Sequence, residues 1–244
     1  MGMRTDAGTM PHRMEWDDHR VRDFWDYTAG SKAGVVESFS RQVGAGVARL
    51  IADIAPVQMG GNVLDFGCGP GYLLEAMASF GGSLWGTDVS AGSLAKARAR
   101  LADRPNVREL VQIVDGKGTP EVRWDLITCV ETIEHVLEPQ MDGFLECLRG
   151  LAGASGLVFL TTPNDEDLEM ADVFCPGCGS VFHRWQHQRA FDAVSLKRLM
   201  ETHGFRTVGC AVTDFGRIQS LPAGASLMPA IGTGPHLFWI GTAA

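Results

Sequence analysis

The chain has 244 residues, 45% hydrophobic and 20% charged, enough to bury a full core at the upper end of single-domain lengths. A formal net charge of −8 argues against a nucleic acid as main partner, because affinity for a phosphate backbone rests on Lys and Arg, and it favours a small molecule or a neutral or basic partner. No stretch approaches the ~20 apolar residues that cross a bilayer, and the polar first eighteen residues lack a signal-peptide core, so a cytoplasmic protein is expected.

Residues 1–60 differ in pattern from the rest and are expected to form an N-terminal helical cap or lid. Aromatics Trp16, Phe24, Trp25 and Tyr27 sit among charges, and Val43, Val47, Leu50, Ile51 and Ile54 recur at helical spacing, which predicts two helices. From Asn62 onward, short apolar runs alternate with amphipathic stretches, the signature of βαβ units around a parallel sheet. Strands are predicted at 62–66, 83–88, 108–114, 125–130, 156–161, 206–213 and 236–241. Helices are predicted at 71–80, 90–102, 138–151 and 192–203, with Ser90 and Asp192 as N-caps and Gly204 where a C-terminal cap belongs. The fold class is therefore α/β, a doubly wound, mostly parallel, Rossmann-like sheet of seven strands over residues 61–244. Such a sheet binds ligands beyond the carboxyl ends of its strands, where the winding reverses.

The first strand runs into Asp65-Phe66-Gly67-Cys68-Gly69-Pro70-Gly71, with glycines at alternate positions before a helix. Glycine opens backbone angles closed to other residues and lets a ligand lie against the main chain. A dinucleotide fingerprint would read G-x-G-x-x-G and aim a helix N-terminus at a pyrophosphate. The G-x-G-x-G spacing here, with an acid two residues before the first glycine, suits a cofactor that lacks phosphate and carries a cationic sulfonium. The second strand ends at Asp88, about twenty residues on, where an acid can accept both ribose hydroxyls. These two elements together resemble the class I S-adenosylmethionine-dependent methyltransferases, over roughly residues 62 to 241. The closing His236-Leu237-Phe238-Trp239-Ile240-Gly241 resembles that class's last strand. The resemblance implies S-adenosylmethionine as cofactor. Asp65, Gly67, Gly69 and Gly71 would line its methionine end, Asp88 would hold the ribose, Val89 would pack on the adenine and Asp115 would reach the adenine amine, with Cys68 and Val130 also binding the cofactor.

After the fourth strand comes Glu131-Thr132-Ile133-Glu134-His135. Two carboxylates with an imidazole can hold a divalent ion that lowers the pKa of a substrate hydroxyl, and without metal His135 could act as general base. The structural alternative is that these residues cap and orient the loop. This E-x-x-E-H run resembles the O-methyltransferases of ubiquinone biosynthesis and the Hen-type small-RNA 2′-O-methyltransferases. That resemblance implies Glu131, Glu134 and His135 as catalytic residues and, with His187, as ligands of a magnesium or zinc ion.

An inserted hairpin at about 165–190 carries Cys175, Cys178, His183 and His187 as C-x2-C-x4-H-x3-H, four soft ligands that could form a tetrahedral zinc site. His187 cannot readily serve both sites, and a cap over the substrate packed by Phe182 and Trp185 is the alternative. All six cysteines are expected to be reduced. The expected function is O-methylation of a small biosynthetic molecule. The rivals are an RNA 2′-O-methyltransferase and a non-catalytic module that binds an adenosyl ligand or zinc. The acceptor and the oligomeric state are not encoded in any recognisable motif.

Overall fold

A computed structural model describes residues 10–113 and 118–244. Strand β1 (His12–Arg13) precedes helices α1 (Asp18–Gly30), α2 (Lys32–Glu37), α3 (Phe39–Ile54) and α4 (Pro56–Met59). Then follow β2 (Asn62–Phe66), α5 (Tyr72–Met77), β3 (Ser83–Asp88), α6 (Ala91–Arg100), β4 (Val107–Gln112), β5 (Leu126–Val130), α7 (Met141–Ala152) and β6 (Leu157–Pro163). The hairpin strands β7 (Asp172–Phe174) and β8 (Ser180–His183) lead to α8 (Ala193–Thr202), β9 (Phe205–Thr213), α9 (Phe215–Ser220) and β10 (His236–Ala243).

Seven strands form one sheet in the order β4-β3-β2-β5-β6-β10-β9, parallel except for β10, which runs antiparallel to both β6 and β9. The winding reverses beside β2, which pairs with β3 on one side and β5 on the other. This is the expected doubly wound α/β fold, and each predicted strand of the sheet lies within about two residues of its place.

Alternation along the strands splits the core into two layers. Val63, Leu84 and Phe159 face α3, α5, α6 and α9, while Leu64, Ile127 and Leu160 face α7 and α8. Val47, Leu50 and Ile51 of α3 are buried in the first layer beside Leu73, Leu74 and Phe215. Helix α3 is thus a layer of the sheet domain, because its apolar stripe is too wide to leave uncovered. Earlier in the stretch 1–60, α1 packs on α6.

Local chemistry explains the ends of the helices. Ser90 Oγ accepts from the Ser93 N–H at 2.9 Å, and Asp192 forms a reciprocal capping box with Ser195. Gly204, at φ 79°, follows α8 in the left-handed conformation that closes a helix. The pieces missing from the sequence reading are short: β1, α2, α4 and α9. Within the inserted stretch β7 and β8 pair antiparallel, and β1 joins β8 in parallel to make a three-stranded sheet. No helix among the described residues is long and apolar enough to cross a membrane.

Candidate active site

The turn after β2 is built on three left-handed glycines, Gly67 at φ 85°, Gly69 at 51° and Gly71 at 80°. A Cβ on Gly67 would stand 2.6 Å from Thr132 Oγ1, and one on Gly71 3.0 Å from Leu101 Cδ1, so those two glycines are required by packing. A Cβ on Gly69 would meet nothing within 4 Å, which marks it as the open surface of the turn. The Gly67 and Cys68 N–H groups both donate to the Thr87 carbonyl at 2.8 Å, fixing the turn to the end of β3.

Asp88 completes the link. Its Oδ2 accepts from the Gly69 N–H and its Oδ1 from the Ser90 N–H, each at 2.8 Å, so the carboxylate is held at the crevice with lone pairs to spare. Burial pushes its pKa up to about 6 against those hydrogen bonds. Asp65 is buried, accepts from Thr128 Oγ1 at 2.8 Å, and is pushed by burial to about 7. Val89, next along, is exposed. The Cys68 thiol is buried and packs towards Gly86, and Val130 is buried in the first core layer. Asp115 lies outside the described residues.

At the end of β5 the chain turns through Glu131, which takes the left-handed φ of 48°, a strained choice for a residue with a Cβ. Its N–H donates to the Thr161 carbonyl at 3.1 Å, and Thr161 Oγ1 donates to Glu131 Oε1 at 2.8 Å. Burial pushes Glu131 up to about 8. Glu134 is fully buried, and among the described residues neither of its carboxylate oxygens has a hydrogen-bonding partner. Burial, and after it the charge of Glu131, pushes its pKa far above the carboxylate range. His135 Nε2 lies 3.8 Å from Glu134 Oε1, and His135 Nδ1 is likewise without a partner among the described residues. Burial and the adjacent His187 keep His135 neutral by holding its pKa well below the usual imidazole value.

Ligand atoms of Glu134, His135 and His187 lie within 4.8 Å of one another. Glu131 stands outside that group, held by Thr161, with its Oε2 3.8 Å from His236 Nδ1. The fourfold set of Glu131, Glu134, His135 and His187 is therefore a group of three with a fourth carboxylate beside it.

The four candidate zinc ligands do not gather. Cys175 and Cys178 sit at the tip of the β7–β8 hairpin, whereas His183 closes the far end of β8 and groups with Glu166 and His187. Neither thiol belongs to a three-ligand group among the described residues. The strand separates them, and His183 Nδ1 is already occupied, accepting from the N–H groups of Trp185 at 3.3 Å and His187 at 3.2 Å. The exposed Cys178 Sγ instead donates to Ser180 Oγ at 3.2 Å.

Three residues near the site escaped the sequence reading. Asp26 of α1 accepts from Ser90 Oγ at 2.5 Å and from the Gly92 N–H at 3.0 Å, tying α1 to the start of α6. Gln186 is fully buried, and Glu166 hydrogen-bonds His187 with its other oxygen 3.3 Å from His183 Nε2. Glu166, just after β6, carried a weak signal as one acid in the acidic run Asp165-Glu166-Asp167. Asp26 and Gln186 carried none.

The sheet order and the glycine turn with its paired acid define a Rossmann-like methyltransferase fold. The sequence model of the methyltransferase domain family matches residues 39–209, most of the chain, and the chain belongs to that family. Among curated proteins, the chain is 36% identical over 107 residues to a ubiquinone biosynthesis O-methyltransferase of Pseudomonas aeruginosa, covering 43% of this chain and 45% of that protein. It is 38% identical over 107 residues to a namesake from Thiobacillus denitrificans, with the same coverage. The chain thus spans under half the length of these relatives. Among solved structures, it resembles a DhpI–SAH complex with TM-score 0.64 at 16% identity, covering 92% of this chain and 97% of that one. It also resembles the glycopeptide N-methyltransferase MtfA bound to sinefungin, with TM-score 0.61 at 19% identity, covering 82% and 87%.

Proposed function

We propose that this chain transfers the methyl group of S-adenosylmethionine to a hydroxyl oxygen of a small molecule, releasing S-adenosylhomocysteine. The observation that carries the choice of oxygen is Glu134, a fully buried carboxylate without a partner among the described residues, beside two imidazoles at the end of β5. An unpaired buried carboxylate costs several kcal/mol, on the order expected for desolvating a charge, unless a cation or proton compensates it. The named activity of the curated relatives points the same way.

In this reading the adenosyl group lies over Val89, the ribose hydroxyls donate to Asp88, and the methionine end follows the open face of Gly69 towards Asp65. The ionised Asp65 carboxylate then compensates the cofactor's cationic end. Glu134, His135 and His187 fit a divalent cation by donor chemistry, orphaned atoms and mutual distance. When bound, such an ion would lower the pKa of the acceptor hydroxyl. Glu131, held by Thr161 beside this group, takes the acceptor's proton. The oxygen lone pair forms the bond to the methyl carbon as the carbon–sulfur pair withdraws onto sulfur. Holding the two reactants in line supplies the larger part of the catalysis, up to about 7–11 kcal/mol for well-oriented groups. An RNA acceptor fits poorly with a net charge of −8.

Calorimetry with S-adenosylmethionine, followed by transfer of labelled methyl to a panel of phenolic and aliphatic alcohols, tests the proposal. Cofactor binding and a labelled methyl ether are expected. Binding with no turnover across the panel would instead mark a module that only holds the adenosyl ligand.

A further inference from the structure

Glu166 lies between β6 and the single turn at Leu168–Ala171, outside both the glycine turn and the Glu-x-x-Glu-His segment. Its Oε2 stands 2.5 Å from His187 Nδ1 and its Oε1 3.3 Å from His183 Nε2. The two rings stack with centroids 4.2 Å apart at 19°. One half-buried carboxylate therefore hydrogen-bonds His187 and stands within ion-pair reach of His183 Nε2, which has no hydrogen-bond partner among the described residues.

The protons in this cluster are determined by the backbone. His183 Nδ1 accepts from the N–H groups of Trp185 and His187, so it must carry a lone pair. In the neutral ring the proton then sits on Nε2, which faces Glu166. A carboxylate can only accept, so His187 Nδ1 also carries its proton, and His187 Nε2 keeps the one free lone pair of the cluster. This excludes Glu166, His183 and His187 as a second ion site, even though their ligand atoms lie within 4.8 Å, because His183 has no lone pair left to offer.

We propose that Glu166 is a positioning residue that fixes the tautomer and ring orientation of His187, presenting the His187 Nε2 lone pair to the group it shares with Glu134 and His135. The proposal rests on the proposed role of that group. Its physical basis is general: a carboxylate behind an imidazole locks the tautomer and raises the basicity of the other nitrogen. His183 acts as the backstop, itself held by two main-chain N–H groups against which His187 stacks.

The test uses the whole chain and its variants Glu166→Gln, Glu166→Ala and Glu166→Asp, with cobalt(II) as probe. A glutamine offers one neutral acceptor oxygen and removes the charge that holds the proton on His187 Nδ1 and faces His183. Glu166→Gln and Glu166→Ala are expected to weaken cobalt binding about 10–100-fold and to change its visible absorption, while Glu166→Asp recovers part of the affinity. Affinity for S-adenosylmethionine, read by calorimetry, should change less than twofold, which separates the effect from misfolding. Nitrogen-15 spectra of the histidines should show His187 protonated at Nδ1 in the parent chain and at a mixture of nitrogens in Glu166→Ala. If the parent chain binds no cobalt, the ion reading fails by itself, and the tautomer spectra still decide the role of Glu166. An unchanged His187 tautomer in Glu166→Ala would overturn the proposal, as would cobalt affinity and absorption equal to those of the parent.

Discussion

The side-chain amide of Gln186 donates to the main-chain carbonyl of His135 at 2.9 Å, and its carbonyl oxygen accepts from the Trp25 indole at 3.1 Å. One buried side chain therefore joins α1 to His135, and Trp25 lies edge-on to the His135 ring at 4.8 Å. Replacing Gln186 by alanine strands both partners, at about 1–3 kcal/mol for each buried group left unpaired. Trp25→Phe removes only the indole donor and keeps a ring near His135. Gln186→Ala should therefore lower the melting temperature more than Trp25→Phe, and both should raise the acceptor KM while cofactor affinity holds. Thermal melts with steady-state kinetics check this, and equal cofactor and acceptor losses would contradict it.

The glycine turn separates packing from binding at adjacent sites. At Gly67 a methyl would collide with Thr132, so Gly67→Ala should damage the fold itself. At Gly69 a methyl enters empty space, and the cost to the fold is only the left-handed backbone, about 1–2 kcal/mol. The same methyl would occupy the surface over which the cofactor is proposed to run. Gly69→Ala should fold and melt cooperatively yet lose S-adenosylmethionine binding by at least about tenfold. Calorimetry on a folded Gly69→Ala protein decides it, and normal affinity would place the cofactor elsewhere.

Much of this was legible in the sequence because it is written in local patterns. Apolar runs of strand length announce β2, β3, β5 and β6, and G-x-G-x-G announces a turn that needs left-handed backbone, as Gly67, Gly69 and Gly71 confirm. The Glu134–His135–His187 grouping was readable only in part, since His187 arrives from a segment some fifty residues away. What was illegible depends on packing over long separations. Asp26 meets Ser90, and Trp25 meets Gln186, through contacts that no periodicity encodes. The C-x2-C-x4-H-x3-H spacing suggested one site, but spacing is blind to strand direction: a strand runs between the thiols and His183 and puts them at opposite ends of β8.

The acid beneath the glycine turn makes stability depend on pH. Burial raises Asp65 from 3.8 to about 7, so between these values the folded protein holds a proton that the unfolded chain has released. Stability from this group is full below about pH 4 and is lost as pH rises through about 7. His236, lowered by burial to about 4, acts in the opposite sense on the acid side, so the comparison must be made against a variant. Asp65→Asn should flatten the decline of melting temperature between pH 5 and 8. The cationic end of the cofactor favours the ionised acid, so binding near pH 6.5 should release a proton, measurable by calorimetry in buffers of different ionisation enthalpy. Proton uptake, or a decline unaltered in Asp65→Asn, would count against the assignment.

Glu134 sets stability against activity. Its orphaned carboxyl is held protonated by burial and by the neighbouring Glu131, while the unfolded chain ionises it freely above pH 5, so it lowers stability at neutral pH. Glu134→Gln removes the ionisable group and keeps the shape. The variant should melt higher than the parent in the presence of a chelator, and the gap should widen from pH 6 to pH 8. A divalent ion reverses the order, because an ion at one hundred times its Kd adds about 2.7 kcal/mol to the folded state. At roughly 2–4 °C per kcal/mol for a chain of this size, that is a rise of about 5–11 °C in the parent. The variant, lacking the carboxylate proposed as a ligand, should gain little and should transfer methyl at least about a hundredfold more slowly. Melts with and without magnesium, manganese or zinc make the comparison. A parent indifferent to every ion, with a fully active Glu134→Gln, would leave the buried carboxyl as a structural acid and move the chemistry to Glu131.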